Sequence, residues 1–164
     1  HATFIRKWGI DSEIVLYGMG GYATSGRFST WKSVWISFAG PLAGFILYGV
    51  LWGIIMILLK VAPDVLTSEP LLYVLDLLLW INLWWGIMNL APVIPLDGGR
   101  IVEALMARYA GRRGTEWTLQ ISIVTAGGIA FCAYQYWHDR FLLILFGILC
   151  AQSVITYNEY KGRY

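Results

Sequence analysis

Charge is what this chain has least of. Only 13% of its 164 residues are charged, against 58% hydrophobic, nine tryptophans and a mean hydropathy of +0.61. That balance excludes a water-soluble domain, because a chain this short cannot bury so much apolar surface in one core. Its solvent is a bilayer. Cysteine is scarce too. Cys132 and Cys150 follow no metal-ligand spacing, so they read as packing residues and fix no redox compartment. The net charge of +2 implies no nucleic-acid partner, since the basic residues are scattered through loops rather than gathered on one face. No stretch resembles a cleavable signal peptide.

What is abundant is long apolar sequence. Residues 33–59, 71–91, 117–137 and 141–157 reach or approach the roughly 20 residues needed to span a bilayer. The expected fold is therefore an all-α polytopic membrane protein with about four transmembrane helices, forming one compact domain over 1–164. The last segment is short and follows only His138-Asp139-Arg140, which predicts a tight antiparallel pair. In the first, Gly40/Gly44 and Gly49/Gly53 each have the small-xxx-small spacing that lets helices approach closely. Gly49 lies about 180° from Gly40 around a helix, so the segment is expected to be sandwiched between neighbours. Gly127 and Gly128 offer similar packing in the third.

Charge asymmetry orients the chain. If Ser33 enters from the cytosol, Arg6, Lys7, Arg27, Lys32, Arg100, Arg108, Arg112, Arg113, Lys161 and Arg163 lie inside, and only Lys60 and Arg140 outside. The positive-inside rule favours that arrangement, a multi-pass integral membrane protein with Asp97 toward the cytosolic side. Residues 10–30 differ from the rest. Their β-branched and aromatic residues, punctuated by Gly18, Gly20 and Gly21, suit short strands and turns. Such an edge can accept an extended peptide by strand addition, or be an ordinary interfacial loop.

The densest signal is Asn89-Leu-Ala-Pro-Val-Ile-Pro-Leu-Asp97-Gly-Gly-Arg100. Pro92 and Pro95 cannot donate backbone hydrogen bonds, so the preceding helix must kink or stop. Broken backbone at membrane depth survives only where protein or a wet cavity satisfies it, and an isolated charge there costs roughly 2.5 kcal/mol or more. Asp97 has two readings: a functional carboxylate, or the cap of a helix starting at Gly98. Asp76, near the outer end of the second segment, reads as solvated or hydrogen-bonded. His1 in place of an initiating Met implies that something upstream is missing. It reads either as the end of a purification tag or, with Arg6 and Lys7 following, as the end of an inside-going helix over 1–9.

Taken together, these residues resemble the site-2 protease family of intramembrane zinc metalloproteases, in the compact form without a PDZ domain. The resemblance covers nearly the whole chain. Asn89-x-x-Pro92-x-x-x-x-Asp97-Gly98 is similar to the family's second metal motif, Phe38-Ala-Gly-Pro-Leu-Ala-Gly44 to its Gly-Pro element, Gly20-Gly21 to its strand-forming loop, and His1 to the second histidine of HExxH. The resemblance implies zinc as cofactor, with His1 and Asp97 as ligands. The first histidine and the general-base glutamate would stand upstream of His1, so the chain alone is expected to be inactive. His138, predicted on the opposite membrane face from Asp97, cannot readily replace the missing histidine. The implied substrate is a transmembrane protein, cut within or beside the bilayer in regulated intramembrane proteolysis. Met19, Gly20 and Gly21 would hold it as an extended strand, while Asn89 would bond its carbonyl or oxyanion, or else only serve backbone freed by Pro92. A catalytically dead relative that binds a membrane partner is the first alternative. A transporter subunit is the more remote one, since no second Pro-x-x-Pro-x-Asp-Gly pattern marks an inverted repeat.

Overall fold

The computed structural model describes residues 13–17, 20–24 and 30–162. The expectations for His1, the helix over 1–9 and Met19 lie outside them. Within the strand-forming stretch, β1 (Glu13–Tyr17) pairs antiparallel with β2 (Gly20–Thr24), with Leu16 opposite Gly21 and Tyr17 opposite Gly20.

Five helices follow. α1 (Thr30–Val61) runs 32 residues, straight through Pro41, and a short 3-10 turn (Pro63–Thr67) leads to α2 (Glu69–Asn89). After an irregular stretch come α3 (Asp97–Tyr109), a second 3-10 turn (Gly111–Arg113) and α4 (Gly114–Cys132). A π turn (Ala133–Trp137) prolongs α4, and α5 (Arg140–Gly162) closes the described chain. α1, α2, α4 with its π turn, and α5 are long and apolar enough to cross a membrane, as an integral membrane protein requires. The 13-residue α3 is amphipathic and too short to be a fifth span.

The expected spans are present with shifted ends. Pro70 suits the first turn of α2, where its missing N–H has no partner to lose, so that helix begins before residue 71. The last segment is the clearest correction. It forms a 23-residue helix that contains the expected residues 141–157 and continues five residues past Tyr157 to Gly162, where polar residues carry on the helical hydrogen bonding. At its start, Asp139 Oδ1 accepts from the N–H groups of Phe141 (2.9 Å) and Leu142 (3.1 Å), and His138 takes up a left-handed backbone at φ 53°.

α1 packs on α2 and α3, α3 packs on α4, and α4 packs on α5. The core sits in the last of these contacts, where Val93, Ala126, Phe146 and Leu149 form one buried cluster. The first two spans meet at two glycines. A side chain at Gly44 would come within 3.1 Å of the Asn82 carbonyl oxygen, and one at Gly86 within 2.7 Å of the Phe45 ring. The sandwich expected for α1 is not observed among the described residues, because a side chain at Gly49 or Gly53 would meet nothing. Only one of its two faces is used. In α4, Gly127 lies against the Cys150 sulfur at 3.7 Å, whereas Gly128 faces open space. Cys132 and Cys150 are half-buried and unpaired, as packing residues would be.

Candidate active site

The site is assembled by the break between α2 and α3. α2 stops at Asn89, and each non-proline N–H from Leu90 to Leu96 finds an acceptor. Leu90 donates to Ile87 O (3.1 Å), Ala91 to Met88 O (3.1 Å), Val93 to Ala91 O (2.7 Å) and Leu96 to Val93 O (2.8 Å). Ile94 donates to the hydroxyl of Ser122 on α4 at 3.1 Å. Pro92 and Pro95, which have no N–H to satisfy, occupy the other two positions, and the Ile94–Pro95 bond is cis. Every N–H of the break is thus paired within the protein, as hydrocarbon surroundings require of a donor.

Two glycines then press the start of α3 onto this stretch. A Cβ on Gly98 would overlap the backbone of Leu90 and Ala91, and one on Gly99 would overlap Val93 and Ile94. Both are buried, so only glycine fits at either position.

Asp97 is the first residue of α3. The cap position belongs to Leu96, which makes no side-chain cap hydrogen bond, so the reading of Asp97 as cap is replaced by that of a first-turn carboxylate favoured by the helix dipole. It is half-buried and faces a cleft of about 230 Å3 between α1 and α2, lined by Gly40, Pro41, Gly44, Ile81, Asn82, Trp85, Gly86 and Asn89. Burial pushes its carboxyl above the ordinary carboxylate range, with the Arg100 guanidinium pulling the other way. Asn89 and Asp97 share this cleft, so two of the expected site residues come together. Among the described residues, the amide of Asn89 is bonded to no backbone group freed by Pro92. Ser122 serves the break in another way, by accepting the Ile94 N–H, and Asn82 turns its amide back to the Leu78 carbonyl at 2.8 Å.

A protein zinc site takes three or four ligands, nitrogen or sulfur donors with carboxylate as the hard alternative. Among the described residues no cluster of three such side chains exists, and Asp97 alone offers a ligand in the cleft. Its chemistry fits one place in such a set. His138 lies in a separate cavity of about 460 Å3, with Tyr134, Asp139 and Arg140, and does not line the cleft of Asp97. Gly20 and Gly21 stand in β2. Asp76 is exposed on α2, away from the cleft. Sequence reasoning missed Ser122. The one local clue was a hydroxyl in the middle of an apolar span, where a polar group needs a partner.

Comparison with known proteins points one way. The model of peptidase family M50 matches residues 51–133, half of the chain. A zinc metalloprotease of Methanocaldococcus jannaschii is 35% identical over 113 residues, which are 68% of this chain and 31% of that protein. Rip3 of Mycobacterium tuberculosis is 36% identical over 114 residues, 68% of this chain and 28% of its own length. The chain thus spans about a third of the relatives it matches. A solved site-2 protease from Methanocaldococcus jannaschii superposes with a TM-score of 0.49 at 29% identity, covering 88% of this chain and 60% of that one.

Proposed function

The chain belongs to peptidase family M50, the site-2 proteases, and from that premise we propose that it supplies most of the membrane core of a zinc-dependent endopeptidase. Its substrate is a transmembrane protein, cut within or beside the bilayer. The observation that carries this reading is the half-buried Asp97 carboxylate, held beside Asn89 in a cleft between two membrane-spanning helices by a break whose N–H groups are all paired. In this reading Asp97 is one zinc ligand and His1 another. In the same reading a further histidine and a general-base glutamate would complete the site. Zinc held there would polarise a carbonyl and lower the pKa of a water.

The chain's own residues do the rest. A helical substrate encloses its amide bonds, so unwinding must precede attack, and an unwound strand needs a partner for its backbone. β2 with Gly20 and Gly21, next to Met19, offers a strand edge for that pairing. Asn89, whose amide has no hydrogen-bonded partner among the described residues, donates to the substrate carbonyl as negative charge grows on its oxygen. Gly40, Gly44 and Gly86 keep the cleft floor low, so a substrate backbone can approach the carboxylate. In this reading the four candidate spans leave residues 60–69 and 138–140 on one membrane face and Arg108 to Arg113 on the other. The charge bias makes the latter cytosolic, with the active site opening toward that side.

The test is cleavage of a reporter transmembrane peptide by the full-length protein in detergent. Activity that is lost to a chelator and returns with zinc supports the reading, and cleavage indifferent to chelation removes it.

A further inference from the structure

We propose that Ser122 is a positioning residue for Asp97, acting from a neighbouring helix through the backbone of the break. The inference rests on the metalloprotease reading above. Ser122 is fully buried on α4, and its hydroxyl oxygen accepts the Ile94 N–H at 3.1 Å across 28 residues of sequence. It is the one side chain among the acceptors of the break; the other N–H groups from Leu90 to Leu96 bond to nearby backbone.

The other buried hydroxyls on α4 and α5 behave differently. Thr118 donates to the Gly114 carbonyl and Ser153 to the Leu149 carbonyl, each at 2.8 Å and each within its own helix. Those bonds are local and tie no second element. Ser122 instead joins α4 to a loop that ends at Asp97.

The arm between them is short and stiff. Ile94 is followed by Pro95, whose ring fixes its own backbone angle, then by Leu96, whose N–H is tied to Val93 O at 2.8 Å, then by Asp97. Below the arm, Val93 is sealed into the core with Phe146. Above it, Gly98 and Gly99 press α3 down onto Leu90 and Val93. These contacts only push. The Ser122 bond instead pulls, and it fixes how far Ile94 stands from α4. Without it a part-buried N–H loses its partner, and the loop shifts to find another acceptor. A shift at Ile94 carries Asp97 with it.

Three variants of the full-length protein test this: Ser122→Ala, Ser122→Cys, which keeps the bulk but is a poor acceptor, and Ser153→Ala as a control that removes an equally buried but local bond. The readouts are zinc affinity by chelator competition, the visible absorption of the cobalt(II)-substituted protein, and kcat and KM separately. Ser122→Ala is expected to weaken zinc binding by about 10-fold to 100-fold, as loss of a group supporting a metal ligand does, to shift the cobalt bands, and to lower kcat with little change in KM. Ser122→Cys follows in the same direction and decides the matter if the alanine variant does not fold, while Ser153→Ala leaves zinc affinity and spectrum unchanged. Wild-type zinc affinity and cobalt spectrum in both Ser122 variants would overturn the proposal, as would Ser153→Ala matching Ser122→Ala in every readout. Failure of the parent reading looks different: there, Asp97→Asn itself keeps its zinc.

Discussion

The two ends of this membrane core are packed to different standards. In the C-terminal part, α4 buries about a third of its most apolar stretch and α5 shares the buried cluster of Val93, Ala126, Phe146 and Leu149. In the N-terminal part, no residue in the most apolar stretch of α1 is fully buried among the described residues, and α1 and α2 approach closely at Gly44 and Gly86. The most apolar of the four, α1, is the least buried, and the least apolar, α4, is the most. In lipid that is expected, because hydrocarbon outside is as apolar as hydrocarbon inside, and association comes from close packing and hydrogen bonds. The site uses both kinds of construction. The break before Asp97 is tied to the C-terminal part through the Ser122 bond to Ile94 and through Val93, and Asp97 itself opens into the cleft between α1 and α2.

Substitutions that ignore this division break the comparison, and those that respect it sharpen it. Gly99→Ala has the largest expected effect. Its Cβ must displace the Val93–Ile94 backbone, at a cost beyond the roughly 1–3 kcal/mol typical of overpacking, and thermal unfolding in detergent will show the loss together with that of activity. Asn89→Ala leaves the melting temperature unchanged and lowers kcat by about 100-fold, the usual result of removing one oxyanion donor. Steady-state cleavage of the reporter peptide measures it. Phe146→Ala removes a ring that is 1% exposed. With lipid as the reference the transfer contribution largely cancels, leaving a cavity of roughly 100 Å3 worth about 2 kcal/mol, read from the same melt. Trp84→Ala, in an aromatic pair with Trp80 on the exposed face of α2, changes stability by less than about 0.5 kcal/mol. Equal losses in Phe146→Ala and Trp84→Ala would erase the distinction between the two regions.

How much of this was legible beforehand follows from the range of each signal. Apolar runs of membrane length, the double proline and a carboxylate beyond them are all local, so the four spans, the break of α2 near Pro92 and the place of Asp97 just beyond it could be read from the chain. The partner of Ile94 is 28 residues away and the choice between the two glycine faces of α1 depends on which neighbour arrives, so neither could be. Gly98 and Gly99 fell between these cases. They were visible as part of a motif, but the backbone they must clear belongs to a loop whose path no local rule predicts. The length of α5 was underestimated because apolar content marks where hydrocarbon ends, not where helical hydrogen bonding ends.

The central claim is that Asp97 binds zinc rather than merely beginning a helix. Asparagine keeps the shape and the helix-start preference of aspartate but is a poor zinc ligand, so Asp97→Asn separates the two roles. Zinc content per chain should be measured by elemental analysis on the purified full-length protein, its Asp97→Asn variant and, as a control, Asp76→Asn on the exposed outer part of α2. The account predicts about one zinc in the wild type and in Asp76→Asn, and none in Asp97→Asn, whose melting temperature changes little. Zinc retained at the wild-type level in Asp97→Asn would contradict it.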